Sequence, residues 1–180
     1  MRVIGGTAGG RKLKEPYGDS IRPTSDMVKE SVFNIIQFDI EGRNVLDLYA
    51  GTGQLGVEAL SRGARHCVFV DKDPAAARLI RENAGICGFS DNAYILARDA
   101  LTYLKGSGKF DLIFLDPPYS TDLAGKTVLR IIEFDKLNLN GIIICETRID
   151  TILPPVPPPY FLQKEYRYGK IKILRYTKLY

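Results

Sequence analysis

The 180-residue sequence is poor in three things. It has three cysteines, one histidine and no apolar run of membrane-spanning length. The run Gly141-Ile142-Ile143-Ile144-Cys145 falls far short of the ~20 residues that a bilayer requires. Cys67, Cys87 and Cys145 are widely spaced without a Cys-x-x-Cys pair, and His66 stands alone, so no zinc site is expected. An odd number of cysteines in apolar surroundings suits a reducing compartment, where they serve as small buried hydrophobes. The opening residues Met1-Arg2-Val3-Ile4-Gly5-Gly6-Thr7 lack a signal-peptide core, so a cytoplasmic location is expected. Repeats are absent. The one biased segment, the proline run within 154–159, reads as a stiff loop rather than a polyproline ligand.

What remains is ordinary globular material, 45% apolar and 26% charged. The length predicts one domain, over 23–180, preceded by a basic extension over 1–22. Charge is unevenly spread. Residues 1–14 carry Arg2, Arg11, Lys12 and Lys14 with no acid, and residues 160–180 carry a net +5. Because the whole chain is +4, the middle must be −5. Basic ends around an acidic centre suit a polyanion that touches the ends, and they equally suit a merely solvated surface.

Apolar periodicity alternates between strand and helix. Arg2-Val3-Ile4 and Arg11-Lys12-Leu13 are expected to pair as a hairpin. Thr24 or Ser25 caps a helix carrying Val28, Val32, Ile35 and Ile36 on one face. Strands are then predicted over 44–49, 66–70, 93–96, 110–115 and 141–146, separated by helices over 55–61, 75–87, 100–105 and 121–134. Two further strands, near 162–167 and 170–177, close the chain as an antiparallel edge. This order predicts an α/β, Rossmann-like doubly wound sheet with helices on both faces.

In such sheets ligands bind beyond the carboxyl ends of the strands. The first of those loops reads Asp47-Leu48-Tyr49-Ala50-Gly51-Thr52-Gly53-Gln54-Leu55-Gly56, which contains G-x-G-x-x-G, with Asp71 twenty residues past Gly51. That pattern suits a dinucleotide. Asp47, however, would repel a pyrophosphate, whereas it attracts the ammonium and sulfonium of S-adenosylmethionine. Asp71 can accept from ribose hydroxyls. Asp99 can accept from an adenine amine or cap the helix that follows it.

The sharpest signal is Asp116-Pro117-Pro118-Tyr119 after the fourth strand. Two prolines cannot continue a ladder. They stiffen the turn and leave the Pro117 carbonyl free beside the Asp116 carboxylate. Two acceptors on a rigid mount, with an aromatic ring beside them, suit methylation of an exocyclic amine on a planar base. The acceptors hold the nitrogen in a more nucleophilic shape, and Tyr119 receives the unstacked base. Methylation at carbon through a cysteine nucleophile is disfavoured, since none of these loops carries a cysteine.

Together the 47–53 loop and the 116–119 turn resemble a class I S-adenosylmethionine-dependent amino-methyltransferase. Arg2-Val3-Ile4-Gly5-Gly6, Gly10-Arg11-Lys12-Leu13, Arg22-Pro23-Thr24 with Phe33-Asn34, and 55–63 narrow the resemblance to the RsmD family of bacterial 16S rRNA guanine-N2 methyltransferases. The likeness implies a sheet ordered 3-2-1-4-5-7-6 and a target guanine in 16S rRNA or the assembling small subunit. It implies cofactor contacts at Asp47, Tyr49, Gly51, Gly53, Asp71 and Asp99, with Ala50, Thr52, Lys72 and Ala100 beside them. It also implies catalytic roles for Asp116, Pro117, Pro118 and Tyr119, RNA contacts at Arg2, Arg11, Lys12 and Arg22, no metal, and a monomer. One departure is that the second strand ends Asp71-Lys72-Asp73, where the family often has Glu first. The rival readings are an amino-methyltransferase acting on DNA adenine or protein glutamine, an NAD-dependent oxidoreductase, and an RNA-binding module without catalysis.

Overall fold

A computed structural model describes residues 1–18 and 24–180. The elements follow in the order α1 (Asp26–Ile35), β1 (Asn44–Leu48), α2 (Gln54–Ser61), β2 (His66–Asp71), α3 (Pro74–Ile86) and β3 (Ala93–Ala97). Then come α4 (Ala100–Tyr103), β4 (Phe110–Leu115), α5 (Leu123–Glu133), β5 (Leu137–Arg148), β6 (Tyr160–Tyr168) and β7 (Ile171–Lys178). The seven strands form one sheet ordered β3-β2-β1-β4-β5-β7-β6. Only β7 runs antiparallel to its neighbours, β5 and β6. This is the expected topology.

Alternation along the central strands divides the core. In β4, Leu112 and Phe114 face α1, α2 and α3, whereas Ile113 and Leu115 face α4 and α5. In β5, Ile142 and Ile144 share the first face, and Ile143 and Cys145 the second. Both faces are apolar because both are covered, which explains the unbroken hydrophobic runs. Ser25 caps α1 by accepting from the Val28 N–H at 3.3 Å, as the sequence predicted. Helix α2 is buried at every position, Gln54 to Ser61. A Cβ on Gly56 would sit 2.2 Å from Phe69 Cε1, so a side chain there would push the helix off the sheet. The third glycine of the first loop therefore serves close packing. Gly53, at φ 77°, turns the chain into α2.

The expected N-terminal hairpin forms as a short antiparallel pairing: Arg2 bridges Lys12, the Val3 N–H donates to the Arg11 carbonyl at 2.9 Å and the Leu13 N–H to the Met1 carbonyl at 3.1 Å. The N–H groups beyond it point at α2. Those of Ile4 and Gly5 donate to the Glu58 carboxylate, both at 2.8 Å, and those of Thr7 and Ala8 to the Ser61 carbonyl and hydroxyl. Val3, Ala8 and Leu13 are buried in the same core as α1 and α2. One expectation needs correcting: strand β5 begins at Leu137 rather than 141, with a register shift against β4 between Phe110 and Leu112.

Glu58 is fully buried. Arg62 Nε donates to it at 2.9 Å, and the fully buried Lys29 ammonium lies 3.8 Å from its other oxygen. Lys29 Nζ also donates to the Arg2 carbonyl. Burial holds the Lys29 ammonium below its ordinary range, and the Glu58 charge opposes that shift.

Candidate active site

The carboxyl ends of β1, β2, β4 and β5 open into a cleft of about 1060 Å³. Its walls carry six acids, Asp47, Asp71, Asp73, Asp99, Asp116 and Glu146, against three bases, Lys72, Arg148 and Lys170. An acid-rich cleft favours a cationic ligand and disfavours a pyrophosphate.

Asp47 forms the floor at 1% exposure. Its Oδ2 accepts from the Gly56 N–H at 3.0 Å. Burial pushes its carboxyl up from 3.8 to about 8, opposed by that hydrogen bond and helped by the Asp71 charge. Between those two values the native state holds a proton that the unfolded chain has lost. Stability therefore falls as pH rises across the window and levels off above it. Asp47→Asn is expected to flatten that decline. Urea unfolding from about pH 5 to about pH 8 checks it, and parallel slopes in both proteins would refute it. A cation seated against Asp47 favours the ionised form.

Tyr49 leaves β1 at φ 58°, and its hydroxyl shares a 2.7 Å hydrogen bond with Thr127 Oγ1 of α5. Asp71 Oδ2 accepts from the Gly51 N–H and Oδ1 from the Asp73 N–H, both at 2.9 Å. The β2 carboxylate thus holds the glycine loop in shape. Asp99 caps α4, accepting from the Thr102 N–H at 2.9 Å. Ala50, Thr52, Lys72 and Ala100 line the same cleft. The Thr52 carbonyl accepts from Asn83 Nδ2, and the same amide nitrogen donates to the Lys14 carbonyl, which ties the N-terminal segment to the loop. Gly53 stands behind the wall, under Ile80.

Asp116, Pro117, Pro118 and Tyr119 line the same cleft, at the end of the strand that pairs with β1. Leu115 of β4 pairs with Cys145 of β5, so one residue further Asp116 comes beside Glu146 on the α1 face. Thr24 Oγ1 donates to Asp116 Oδ2 at 3.1 Å, and Gln54 Nε2 donates to the Thr24 carbonyl at 3.1 Å. Burial, and then the neighbouring Glu146 charge, hold the Asp116 carboxyl well above the usual carboxylate range. The Tyr119 hydroxyl donates to Glu146 Oε1.

The structure thus gathers the candidates from the first, second, third and fourth strand ends into one cleft. It does not bring Arg2, Arg11 or Lys12 there. All three are exposed, and Arg11 donates to the Ile86 carbonyl at the end of α3. Arg22 lies outside the described residues. Sequence reasoning missed Thr24, Gln54 and Glu146. Only Glu146 left a signal, as an acid ending the fifth apolar strand. Among the described residues no group of three or more His, Cys, Asp or Glu could hold a metal ion, and no helix is long and apolar enough to cross a membrane.

Sheet order, glycine loop and Asp-Pro-Pro-Tyr turn together define a class I methyltransferase architecture. A family model described as conserved hypothetical protein 95 matches residues 1–177. YlbH of Bacillus subtilis is 38% identical over 182 residues, spanning 99% of each chain. Ribosomal RNA small subunit methyltransferase D of Haemophilus influenzae is 35% identical over 181 residues, spanning 98% of this chain and 93% of that one. The solved structure of yhhF from Escherichia coli superposes with a TM-score of 0.90 at 30% identity, covering 99% of this chain and 98% of that one. The chain belongs to the RsmD family.

Proposed function

We propose that this protein methylates the exocyclic N2 amine of a guanine in 16S rRNA, with S-adenosylmethionine as donor. The observation that supports the reading is that the Asp116 turn and the glycine loop line one acid-rich cleft. The residues present fit the donor, with Asp47 and Asp71 beside a loop whose backbone turns at Tyr49, Gly51 and Gly53. Bound there, S-adenosylmethionine supplies a sulfonium methyl group that is open to attack by a nitrogen lone pair and departs as a neutral thioether.

The chain's own work lies on the acceptor side. Asp116 and the Pro117 carbonyl take the two N–H bonds of the amine and aim its lone pair into the cleft. Tyr119 offers a face to the flipped base. Once the N–C bond has formed, the amine sheds one proton. Asp116, whose carboxyl burial favours in the protonated state, is a suitable resting place for it. Names of the relatives support a ribosomal RNA substrate in the small subunit.

Mass spectrometry of nucleosides from 16S rRNA tests the proposal. N2-methylguanosine should be missing in a deletion strain and return when the gene is restored. An unchanged N2-methylguanosine level would remove the guanine reading. Separate titrations with S-adenosylmethionine and NAD test the donor, and a preference for NAD would remove it. The exposed Arg2, Arg11 and Lys12 are proposed to hold RNA phosphates. Arg2→Ala combined with Lys12→Ala should shallow the slope of log Kd against log salt by roughly 1.5–2, read by filter binding across a salt series. An unaltered slope would place the RNA elsewhere.

A further inference from the structure

The amine clamp alone does not choose a base, since adenine, cytosine and guanine all present an exocyclic amine. What separates them is the ring nitrogen on the Watson–Crick side of that amine. In adenine (N1) and cytosine (N3) it bears a lone pair, whereas in guanine it is N1 and bears a hydrogen, the other flanking nitrogen, N3, lying on the far side of the amine. A group that only accepts, placed beside the clamp, welcomes guanine and repels the other two. A carboxylate is such a group, with about four lone-pair sites on two oxygens.

Glu146 occupies that position. It ends the apolar stretch of β5, is 5% exposed, and lines the cleft. One residue past the last β4–β5 pair, Leu115 with Cys145, it comes beside Asp116, and its charge acts on the Asp116 carboxyl. The Tyr119 hydroxyl donates to its Oε1, which fixes the carboxylate against the ring that would stack on the base. Nothing in methyl transfer to an amine requires this second acid, and a buried carboxylate is costly to keep.

We propose that Glu146 is the specificity-determining residue, accepting the N1–H of the target guanine while Asp116 and the Pro117 carbonyl hold the N2 amine. This rests on the guanine-N2 reading above. It also makes a base with an unprotonated neighbouring nitrogen a poor substrate even when its amine is the same.

The test uses 2-aminopurine, which keeps the N2 amine but has an unprotonated N1. The guanine methylated by the wild type is located by RNase digestion and mass spectrometry. 16S rRNA, free and assembled with small-subunit proteins, is then made by ligation with guanine or 2-aminopurine at that position. The wild type should prefer guanine by roughly 100-fold, the size expected when a buried acceptor meets another acceptor. Glu146→Gln brings an amide N–H that can donate to N1 of 2-aminopurine, so the preference should fall by at least about tenfold. The missing O6 of 2-aminopurine affects both enzymes alike and cancels. S-adenosylhomocysteine affinity confirms that the variant is folded. Tyr119→Phe, which removes only the hydroxyl, should keep the preference for guanine.

Equal use of the two bases by the wild type overturns the inference without recourse to any variant. A preference unchanged in Glu146→Gln overturns it too. A preference lost equally in Tyr119→Phe would make Glu146 a positioning residue for the ring, and would also overturn it. If the wild type forms no N2-methylguanosine at all, the underlying functional reading fails and this inference falls with it.

Discussion

Replacing Asp116 with alanine should lower the methyl-transfer rate by roughly 10²–10³ at saturating RNA, the usual cost of deleting one preorganised polar group at a reacting centre. Affinity for S-adenosylmethionine should stay within a few-fold. The separation follows from the hydrogen-bond partners. Asp47 bonds to Gly56 and Asp71 to Gly51, and neither hydrogen bond involves the 116–119 turn. Asp116 is held instead by Thr24, from the residue before the Ser25 cap of α1. Asp116→Asn retains one acceptor and should fall between alanine and wild type. Single-turnover methyl transfer measured beside cofactor titration checks the split. Equal losses in rate and cofactor affinity would move Asp116 to the donor side.

Much of this was legible because the signals are local. A Ser before Asp26 caps a helix wherever the helix goes, and an apolar stretch such as Phe110 to Leu115 belongs between two neighbours in any parallel sheet. The turn at Asp116 was legible because consecutive prolines exclude alternatives. Contacts across long sequence separations were not. No rule based on spacing sends the Ile4 and Gly5 amides to Glu58, so the strapping of this hairpin onto α2 was not legible. Thr24 meets Asp116 across 92 residues, and Glu146 becomes part of the cleft only through the register of β5 on β4. The full burial of Lys29, with its ammonium donating to the Arg2 carbonyl, was not among the expectations.

That strap supports the second large effect. Glu58→Ala would leave the Lys29 ammonium buried without its counter-charge and deprive the Ile4 and Gly5 N–H groups of their acceptor. Breaking a buried charge pair on one side costs about 3–5 kcal/mol. For a chain of this size that corresponds to a melting temperature lower by roughly 6–20 °C. Calorimetry gives the number, and faster tryptic cleavage after Arg11 and Lys12 would show that the first segment has come loose. A melting temperature within about 2 °C of wild type would mean that the contact contributes little.

Strand β6 is one of the two edge strands of the sheet, opposite β3, with β7 on one side only. Among the described residues one row of its backbone donors and acceptors has no ladder partner, and such a row invites a second molecule to add a strand. Lys164 and Arg167 stand exposed along it, with Glu165 paired to Arg167 at 2.9 Å. Their charge discourages edge-to-edge pairing of one sheet with the next. Neutralising Lys164 and Arg167 is therefore expected to show as turbidity on concentration.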